Sequence, residues 1–214
     1  MTPRENRHRT GLFVTLEGIE GVGKSTLAEF VAQELRATGR DVVTTREPGG
    51  APIAEQIRAL LLHRHEHPMD RYTELLLVFA ARAEHLAHTI RPALEAGRSV
   101  VCDRFTDATF AYQGAGRALD QADIGALEKL VQRGLQPDLT FLLDAPVALA
   151  LSRARRRGPP DRFESERASF FERVRAGYLE RAGRFADRIA IIDAAAPVEQ
   201  VREQVRVLLR KRVP

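Results

Sequence analysis

The chain has 214 residues, of which 44% are hydrophobic and 29% charged, a composition that can build one ordinary domain and excludes disordered and fibrous proteins. One cysteine, Cys102, cannot form an internal disulfide, and no apolar run approaches the roughly 18 residues of a membrane-spanning helix, so the sequence favours a cytoplasmic protein. A net charge of +4 is compatible with a nucleic-acid binder, but basic residues gathered around nucleotide phosphates give the same sum.

Five short apolar runs are typical of buried strands, and longer stretches with helical spacing separate them. The predicted strands are Leu12–Leu16, Val42–Thr45, Ser99–Cys102, Leu139–Leu143 and Ile189–Ile192. This alternation of strands and helices indicates the α/β class, with a parallel sheet flanked by helices. We expect a single domain over residues 11–214, after a loose polar tail at residues 1–10.

Seven stretches with helical spacing are expected to form the helices of this domain. They are Ser25–Thr38, Ile53–Leu62, Arg71–Ala96, Ala122–Arg133, Val147–Arg157, Glu166–Ala186 and Val198–Arg210. Pro92 lies inside the third and is expected to kink or split it, because proline removes a backbone donor and clashes with the preceding turn.

The segment Gly18–Ser25 fits the phosphate-binding pattern G-x-x-x-x-G-K-[ST], follows a predicted strand and opens a predicted helix. Glycines let backbone N–H groups turn towards phosphate oxygens, and the helix N-terminus adds a favourable dipole. We expect Lys24 to neutralise the β and γ phosphates of ATP. A glycine-rich turn without a ligand is the alternative, which the flanking strand and helix disfavour. The predicted ATP-binding residues are Gly18, Glu20, Gly21, Val22, Gly23, Lys24, Ser25 and Thr26.

A metal site is predicted beside this loop. The Ser25 hydroxyl is expected to bind Mg²⁺. Asp103 directly follows the strand Ser99–Cys102, where a carboxylate of the Walker B type would support the same ion directly or through water.

Two further features narrow the class of P-loop protein. A switch-type GTPase reads guanine with N-K-x-D, but the only asparagine of the chain is Asn6, so that class is disfavoured. Glu20 lies inside the phosphate loop, where a carboxylate pressed against the donor phosphates would be repelled. We therefore expect its side chain to turn towards a neutral hydroxyl of the acceptor, with a solvated loop acid as the alternative.

Four more segments follow the phosphate loop in order: Arg46-Glu47-Pro48-Gly49-Gly50, Asp103-Arg104-Phe105, a turn at Ala111-Tyr112-Gln113-Gly114, and an arginine-rich lid at about residues 153–165. Together with the loop, this set resembles thymidylate kinase of the bacterial type, from about Leu12 to the last helix. The resemblance implies a P-loop NTPase fold with a five-stranded parallel sheet and a short lid. It also implies a homodimeric enzyme of dTTP synthesis, which uses ATP and Mg²⁺ to convert dTMP to dTDP.

The resemblance further implies how the phosphate and sugar of dTMP are held. Arg58 and Arg104 would bind the phosphate, for which the planar guanidinium suits because it donates two hydrogen bonds. Glu20 would meet the 3′-hydroxyl, and Tyr112 would crowd the 2′ position and disfavour ribonucleotides. The Glu47–Pro48 bond is cis in the resembled family, which this sequence alone does not establish.

For the thymine base, the resemblance implies polar contacts from Arg82, Thr109 and Gln113. Pro48 and Phe79 would offer apolar surface, although many relatives carry the stacking aromatic one position earlier, where this chain has Val78. Core positions for the aromatic residues and surface positions for the arginines are the alternatives. The predicted substrate contacts are Glu20, Arg46, Glu47, Pro48, Arg58, Phe79, Arg82, Arg104, Thr109, Tyr112 and Gln113.

Catalysis by such an enzyme needs no general base, because the acceptor phosphate is already ionised near neutral pH. Some relatives hold an arginine at the loop position of Gly21, so the lid is expected to supply the missing charge through Arg153 and Arg157. A solvated basic helix end is the alternative. The predicted catalytic residues are Lys24, Asp103, Arg104, Arg153 and Arg157.

Two other functions compete with this prediction. A kinase for a different pyrimidine monophosphate would keep the phosphate loop and lid but change the residues that read the base. A basic ATPase that binds nucleic acid would show salt-dependent affinity for polynucleotide, but the sequence has no aromatic platform for single strands. We therefore expect neither a nucleic acid nor a membrane as a partner.

Overall fold

The computed structural model describes residues 11–156 and 161–212. Five parallel strands form one sheet in the order β2-β3-β1-β4-β5. They are β1 (Phe13–Glu17), β2 (Val42–Arg46), β3 (Ser99–Asp103), β4 (Leu139–Asp144) and β5 (Ile189–Asp193). The predicted parallel α/β sheet is therefore confirmed. Each strand extends one residue further towards its carboxyl end than its apolar run.

The parallel sheet brings the segments that can form a site to one of its edges. The central strands β1, β3 and β4 are buried over nearly their whole length, which is why they read as continuous apolar runs. Because all strands are parallel, the segments that follow them meet at the carboxyl edge of the sheet. The phosphate loop follows β1, the Glu47–Gly50 loop follows β2, and Arg104 follows β3.

Nine α-helices lie within the described ranges. They are α1 (Lys24–Ala37), α2 (Pro52–Leu62), α3 (Arg71–His85), α4 (Arg91–Glu95), α5 (Thr106–Thr109), α6 (Gln121–Gln132), α7 (Val147–Arg155), α8 (Ala168–Arg184) and α9 (Val198–Arg212). The interruption expected at Pro92 is present. A π-helical turn, Leu86–Ile90, separates α3 from α4, and Pro92 lies in the first turn of α4, where its missing N–H is tolerated.

The interpretation of residues 111–114 as a turn was wrong. These residues belong to a π-helical segment, Phe110–Gly116, which continues directly from α5. Its glycine and alanine residues serve close packing against α8 instead of a change of chain direction. A Cβ added at Gly116 would lie 2.7 Å from the Phe170 ring, and one added at Gly177 would lie 2.7 Å from the Ala115 side chain.

The structure describes only part of the predicted helix Val147–Arg157 and of the predicted lid at about residues 153–165. Residues 157–160, which include the predicted lid residue Arg157, and the tail at residues 1–10 lie outside the described ranges. Within those ranges, no helix combines the length and apolar character needed to cross a membrane.

Candidate active site

The phosphate loop has the backbone that its glycines predict. Gly18, Gly21 and Gly23 all have positive φ angles, of 132°, 80° and 97°, and α1 begins at the next residue, Lys24. A Cβ added at Gly21 would collide with the carbonyl of Ala150 in α7. The loop therefore has no room for a side chain at Gly21, where some relatives carry an arginine.

The Lys24 ammonium is held inside this loop. Its Nζ donates a 2.8 Å hydrogen bond to the carbonyl oxygen of Ile19. Burial lowers the pKa of Lys24 to about 8, with a further contribution from the nearby Arg104. A polyanion in the loop would oppose this shift and keep the ammonium charged.

The residues predicted to hold Mg²⁺ are in direct contact. The Ser25 hydroxyl donates a 2.9 Å hydrogen bond to Oδ2 of Asp103. The other carboxylate oxygen, Oδ1, is buried and has no hydrogen-bond partner among the described residues. A hydroxyl beside a carboxylate with a free oxygen is the type of donor set that Mg²⁺ prefers, so these residues fit the metal.

Arg104 lies at the centre of a buried polar cluster. Its Nη2 donates to Oε1 of Glu20 (2.9 Å) and to the Tyr112 hydroxyl (3.0 Å), while its Nη1 donates to the Tyr178 hydroxyl (3.0 Å). The Tyr112 hydroxyl in turn donates a 2.7 Å bond to Oε2 of Glu20. Burial alone would lower the pKa of Arg104, but these partners outweigh it and hold the pKa well above its usual value.

Glu17 contacts this cluster through Tyr178. The sequence analysis did not identify Glu17. Its Oε1 accepts a 2.7 Å bond from the Phe105 backbone N–H, and its Oε2 accepts a 2.8 Å bond from the Tyr178 hydroxyl. Burial raises the pKa of Glu17 to about 8, and the charge of the nearby Asp107 adds to the shift. An acid at the end of an otherwise apolar strand was the available signal.

Arg82 is held by two hydrogen bonds and lies between two aromatic rings. Its Nε donates a 2.8 Å bond to Oε2 of Glu47, and its Nη2 donates a 3.0 Å bond to the Thr109 hydroxyl. The rings of Phe79 and Phe105 lie 4.9 Å and 5.1 Å from its guanidinium carbon. Burial alone would raise the pKa of Glu47, but Arg82 and His85 outweigh it and lower that pKa.

Phe79, which the resemblance offered as apolar surface for the base, does not line the cavity described below. Phe79 is 2% exposed and packs in the core with Leu75 of α3, Phe110 of the π-helical segment and Ile124 of α6, whereas Val78 lines the cavity. Consecutive helical residues point in directions about 100° apart, so the two side chains face different surroundings. The packing of α3 against α6 selects Val78.

Glu74, which the sequence analysis did not single out, links Gln113 to Arg162 of the lid. Its Oε1 accepts a 2.7 Å bond from Nε2 of Gln113, and its Oε2 accepts a 2.7 Å bond from Nη1 of Arg162. Arg117 also pairs with Glu74, at 3.3 Å. This buried carboxylate therefore fixes the side chain of Gln113 and the part of the lid that follows residue 160.

The loop after β2 carries the remaining predicted residues. The Glu47–Pro48 peptide bond is cis, as the resemblance implied. Arg58 Nη1 donates a 2.7 Å bond to the carbonyl oxygen of Pro48, and Arg46 Nη2 donates a 2.9 Å bond to Glu55. Burial lowers the pKa of Arg58, with a contribution from Arg46, as expected for two guanidinium groups that face one space.

Most of the predicted site residues line a cavity of about 220 Å³. Ten of the eleven predicted substrate contacts line it, Phe79 being the exception. Lys24, Ser25 and Asp103 also line it. The cavity residues that the sequence analysis did not predict are Leu62, Val78, Phe105, Ala108, Asp161, Phe163 and Glu164.

A second cavity of about 220 Å³ lies on the other side of the phosphate loop. Gly21, Gly23 and Thr26 line it, together with Arg153. Arg153 Nη1 donates a 2.8 Å bond to the carbonyl oxygen of Ala194, so its guanidinium faces the second cavity and not the first. The structure thus brings together Lys24, Asp103 and Arg104 of the predicted catalytic set, with Arg153 apart from them.

Comparison with known proteins identifies the family. A family model described as thymidylate kinase matches residues 16–205. The chain is 57% identical over 200 residues to the thymidylate kinase of Pseudomonas fluorescens (strain Pf-5), which covers 94% of this chain and 95% of that relative. It is 58% identical over 205 residues to the thymidylate kinase of Chromohalobacter salexigens, covering 95% and 97%.

Solved structures give the same result. The crystal structure of thymidylate kinase from Ehrlichia chaffeensis superposes with a TM-score of 0.71 at 34% identity and covers 92% of this chain and 98% of that chain. The matched region contains the phosphate loop, the arginine cluster and both cavities described above. The chain belongs to the thymidylate kinase family of nucleoside monophosphate kinases.

Proposed function

We propose that this chain transfers the γ-phosphate of ATP to dTMP, giving dTDP and ADP. The observation that carries the proposal is the position of the phosphate loop between two cavities. Gly21, Gly23 and Thr26 line one cavity, whereas Lys24 and Ser25 line the other. A donor in the second cavity and an acceptor in the first would meet at Lys24, as in-line phosphoryl transfer requires.

The donor side consists of the phosphate loop and the metal residues. Backbone N–H groups of the loop and the Lys24 ammonium bind the β and γ phosphates, and α1 directs its N-terminus at them. Ser25 and Asp103 would hold Mg²⁺, which would neutralise charge on the phosphates. Arg153 acts on the donor from the second cavity, and Arg157 is proposed as the lid arginine that reaches the transferred phosphate.

The acceptor phosphate is bound by arginines at the mouth of the first cavity. Arg58 and Arg104 donate to its oxygens, and Arg46 adds positive charge. The dianionic phosphate attacks without a general base, so these residues act by orientation and charge stabilisation. Because Arg104 also binds Glu20 and Tyr112, its position is defined before the acceptor arrives.

The acceptor base lies further inside. Arg82 has one guanidinium nitrogen, Nη1, without a partner in the described part of the chain, and this group donates to a thymine carbonyl. Thr109 and Gln113 complete the polar edge, while Pro48 and Val78 supply apolar surface for the ring and methyl group. Glu20 accepts from the 3′-hydroxyl, and Tyr112 restricts space at the 2′ position.

The quaternary structure proposed is a homodimer acting in the cytoplasm, without a nucleic-acid partner. Exposed apolar residues on the adjoining helices α2 and α3, namely Ile53, Leu60 and Leu76, support an interface there. Light scattering should give twice the chain mass, and Leu76→Lys should lower it towards one chain. A monomer at micromolar concentration would contradict this part of the proposal.

A coupled ADP-release assay tests the activity. ATP and Mg²⁺ are supplied with dTMP, dUMP, dCMP, dGMP, UMP or AMP as acceptor, and with polynucleotide as a control. A clear preference for dTMP supports the proposal. Preference for another monophosphate would overturn the assignment of the base contacts, and turnover only with polynucleotide would overturn the kinase reaction itself.

A further inference from the structure

His85 is the inner end of a hydrogen-bond chain that leads to the acceptor cavity. Its side chain is fully buried, on the last turn of α3. Nδ1 lies 3.0 Å from Oε1 of Glu47, and Nε2 lies 2.7 Å from the Thr45 hydroxyl. The imidazole is not part of the cavity lining, so it can act on the acceptor only through other residues.

The chain continues from Glu47 to Arg82. The second oxygen of Glu47, Oε2, accepts the 2.8 Å bond from Arg82 Nε, and the side chains of Glu47 and Arg82 are 4% and 1% exposed. With Nη2 donating to Thr109, Nη1 is the guanidinium nitrogen left without a partner within residues 11–156 and 161–212. The bonds from Nε and Nη2 therefore hold the guanidinium in place and leave Nη1 for a ligand.

The backbone beside His85 packs closely against its ring. The backbone of Gly50 packs on the imidazole, and a Cβ added there would collide with both His85 and Thr45. Thr89 anchors this backbone by donating a 2.6 Å bond to the Gly50 carbonyl oxygen. Because the Glu47 carboxylate only accepts, Nδ1 must be the donor of that bond, and Nε2 is in hydrogen-bond contact with the Thr45 hydroxyl.

We infer that His85 is a positioning residue for recognition of the acceptor's base. It fixes Glu47, which fixes Arg82, in the way that an outer partner orients the group that touches a ligand. The inference rests on the base contact proposed for Arg82. An arginine only donates, so a correctly placed Nη1 favours the O4 acceptor of thymine or uracil over the 4-amino donor of cytosine. It does not distinguish thymine from uracil.

The test compares His85→Leu with His85→Asn. Leucine fills similar space but cannot bind Glu47, whereas the asparagine amide can donate from near the position of Nδ1. For His85→Leu we expect KM for dTMP to rise roughly tenfold, the change expected when one charge-assisted hydrogen bond is misplaced. The preference for dTMP over dCMP should fall by a similar factor, while kcat and KM for ATP stay near wild type. His85→Asn should recover most of both losses.

Arg82→Met is measured in parallel to separate the inference from the function on which it rests. If Arg82→Met leaves the dTMP to dCMP preference unchanged, the base contact is wrong and the inference falls with it. If Arg82→Met lowers the preference but both His85 variants behave as wild type, only the role of His85 is overturned. A purely structural role would lower the melting temperature of His85→Leu without changing that preference.

Thr45→Val provides a second route to the same decision if His85→Leu does not fold. Thr45 is partly exposed, and valine keeps its shape while removing the hydroxyl that binds Nε2. A rise of roughly twofold to threefold in KM for dTMP, with a lower preference over dCMP, supports the inference, as expected for the loss of one neutral hydrogen bond. Wild-type values for both quantities would overturn it.

Discussion

The Ser25 hydroxyl donates a 2.9 Å hydrogen bond to the Asp103 carboxylate and so joins the first turn of α1 to the end of β3. The two residues are 78 positions apart in the sequence. Their contact follows from the pairing of β1 with β3, which brings the phosphate loop beside the residue that ends β3. One carboxylate oxygen stays free for a metal, which allows a direct test.

Asp103→Asn should raise the Mg²⁺ concentration needed for half-maximal activity. An amide oxygen is a weaker, uncharged ligand, so we expect kcat/KM to fall roughly 10-fold to 100-fold. Initial rates over a Mg²⁺ series at fixed ATP and dTMP would measure both effects. Asp41→Asn, at an exposed carboxylate that pairs with Arg98, is the matched control. An unchanged Mg²⁺ dependence in Asp103→Asn would argue against the metal site.

Val78 and Phe79 should separate binding from stability. Phe79→Ala removes a core ring and should lower the free energy of unfolding by about 3–5 kcal/mol. Val78→Ala, at a half-buried position that lines the cavity, should cost about 1 kcal/mol or less in stability. We expect it instead to raise KM for dTMP roughly twofold to fivefold through lost apolar contact. Urea denaturation measures the loss of stability, and titration with dTMP measures the change in KM. If folded Phe79→Ala showed a larger increase in KM than Val78→Ala, Phe79 and not Val78 would be the residue that faces the base.

The difference between Val78 and Phe79 shows where sequence-based prediction ends. The strands, the phosphate loop and the order of the cavity residues are encoded by short segments whose periodicity and glycines are visible in the sequence. Which of two adjacent apolar residues faces the cavity depends on the rotation of α3, and packing against α6 sets that rotation. No local pattern reports it.

The sequence did not show the roles of residues that act through others. His85 contacts Glu47, 38 positions away, and Glu74 contacts Gln113, 39 positions away. Glu17 contacts Tyr178, 161 positions away. An isolated acid or histidine in an apolar segment is equally compatible with a satisfied core residue. Similarly, the glycines near Gly114 resembled turn residues, although they allow close packing of α8 against the π-helical segment.

Gly21→Arg should not restore the loop arginine found in some relatives. Gly21 has a φ of 80°, and a Cβ there would collide with the Ala150 carbonyl, so any side chain strains the loop. We expect a loss of about 1–3 kcal/mol in stability and no gain in kcat. Gly125→Ala is the control, because it lies in α6 with open space around it and should be neutral or slightly stabilising. A Gly21→Arg enzyme with raised kcat would show that α7 can move aside.

Glu17 gives the stability of the protein a specific dependence on pH. Its pKa is raised from 4.5 to about 8 in the folded protein, mainly by burial, so the folded state binds more protons than the unfolded state between these values. The stability associated with the protonated carboxyl is complete below pH 4.5 and is lost as the pH rises through 8. The slope from this group is at most about 1.4 kcal/mol per pH unit.

Glu17→Gln should remove this component, because the amide resembles the protonated carboxyl and does not titrate. Relative to wild type, the free energy of unfolding of the variant should therefore increase from pH 5 to pH 8 and level off above it. Urea denaturation at intervals of one pH unit would measure the difference, with Glu199→Gln, at a largely exposed carboxylate, as the control. Parallel curves for wild type and Glu17→Gln would mean that the buried carboxyl is already ionised at pH 5. In that case Tyr178 and Arg104 would have to stabilise its charge more strongly than burial disfavours it.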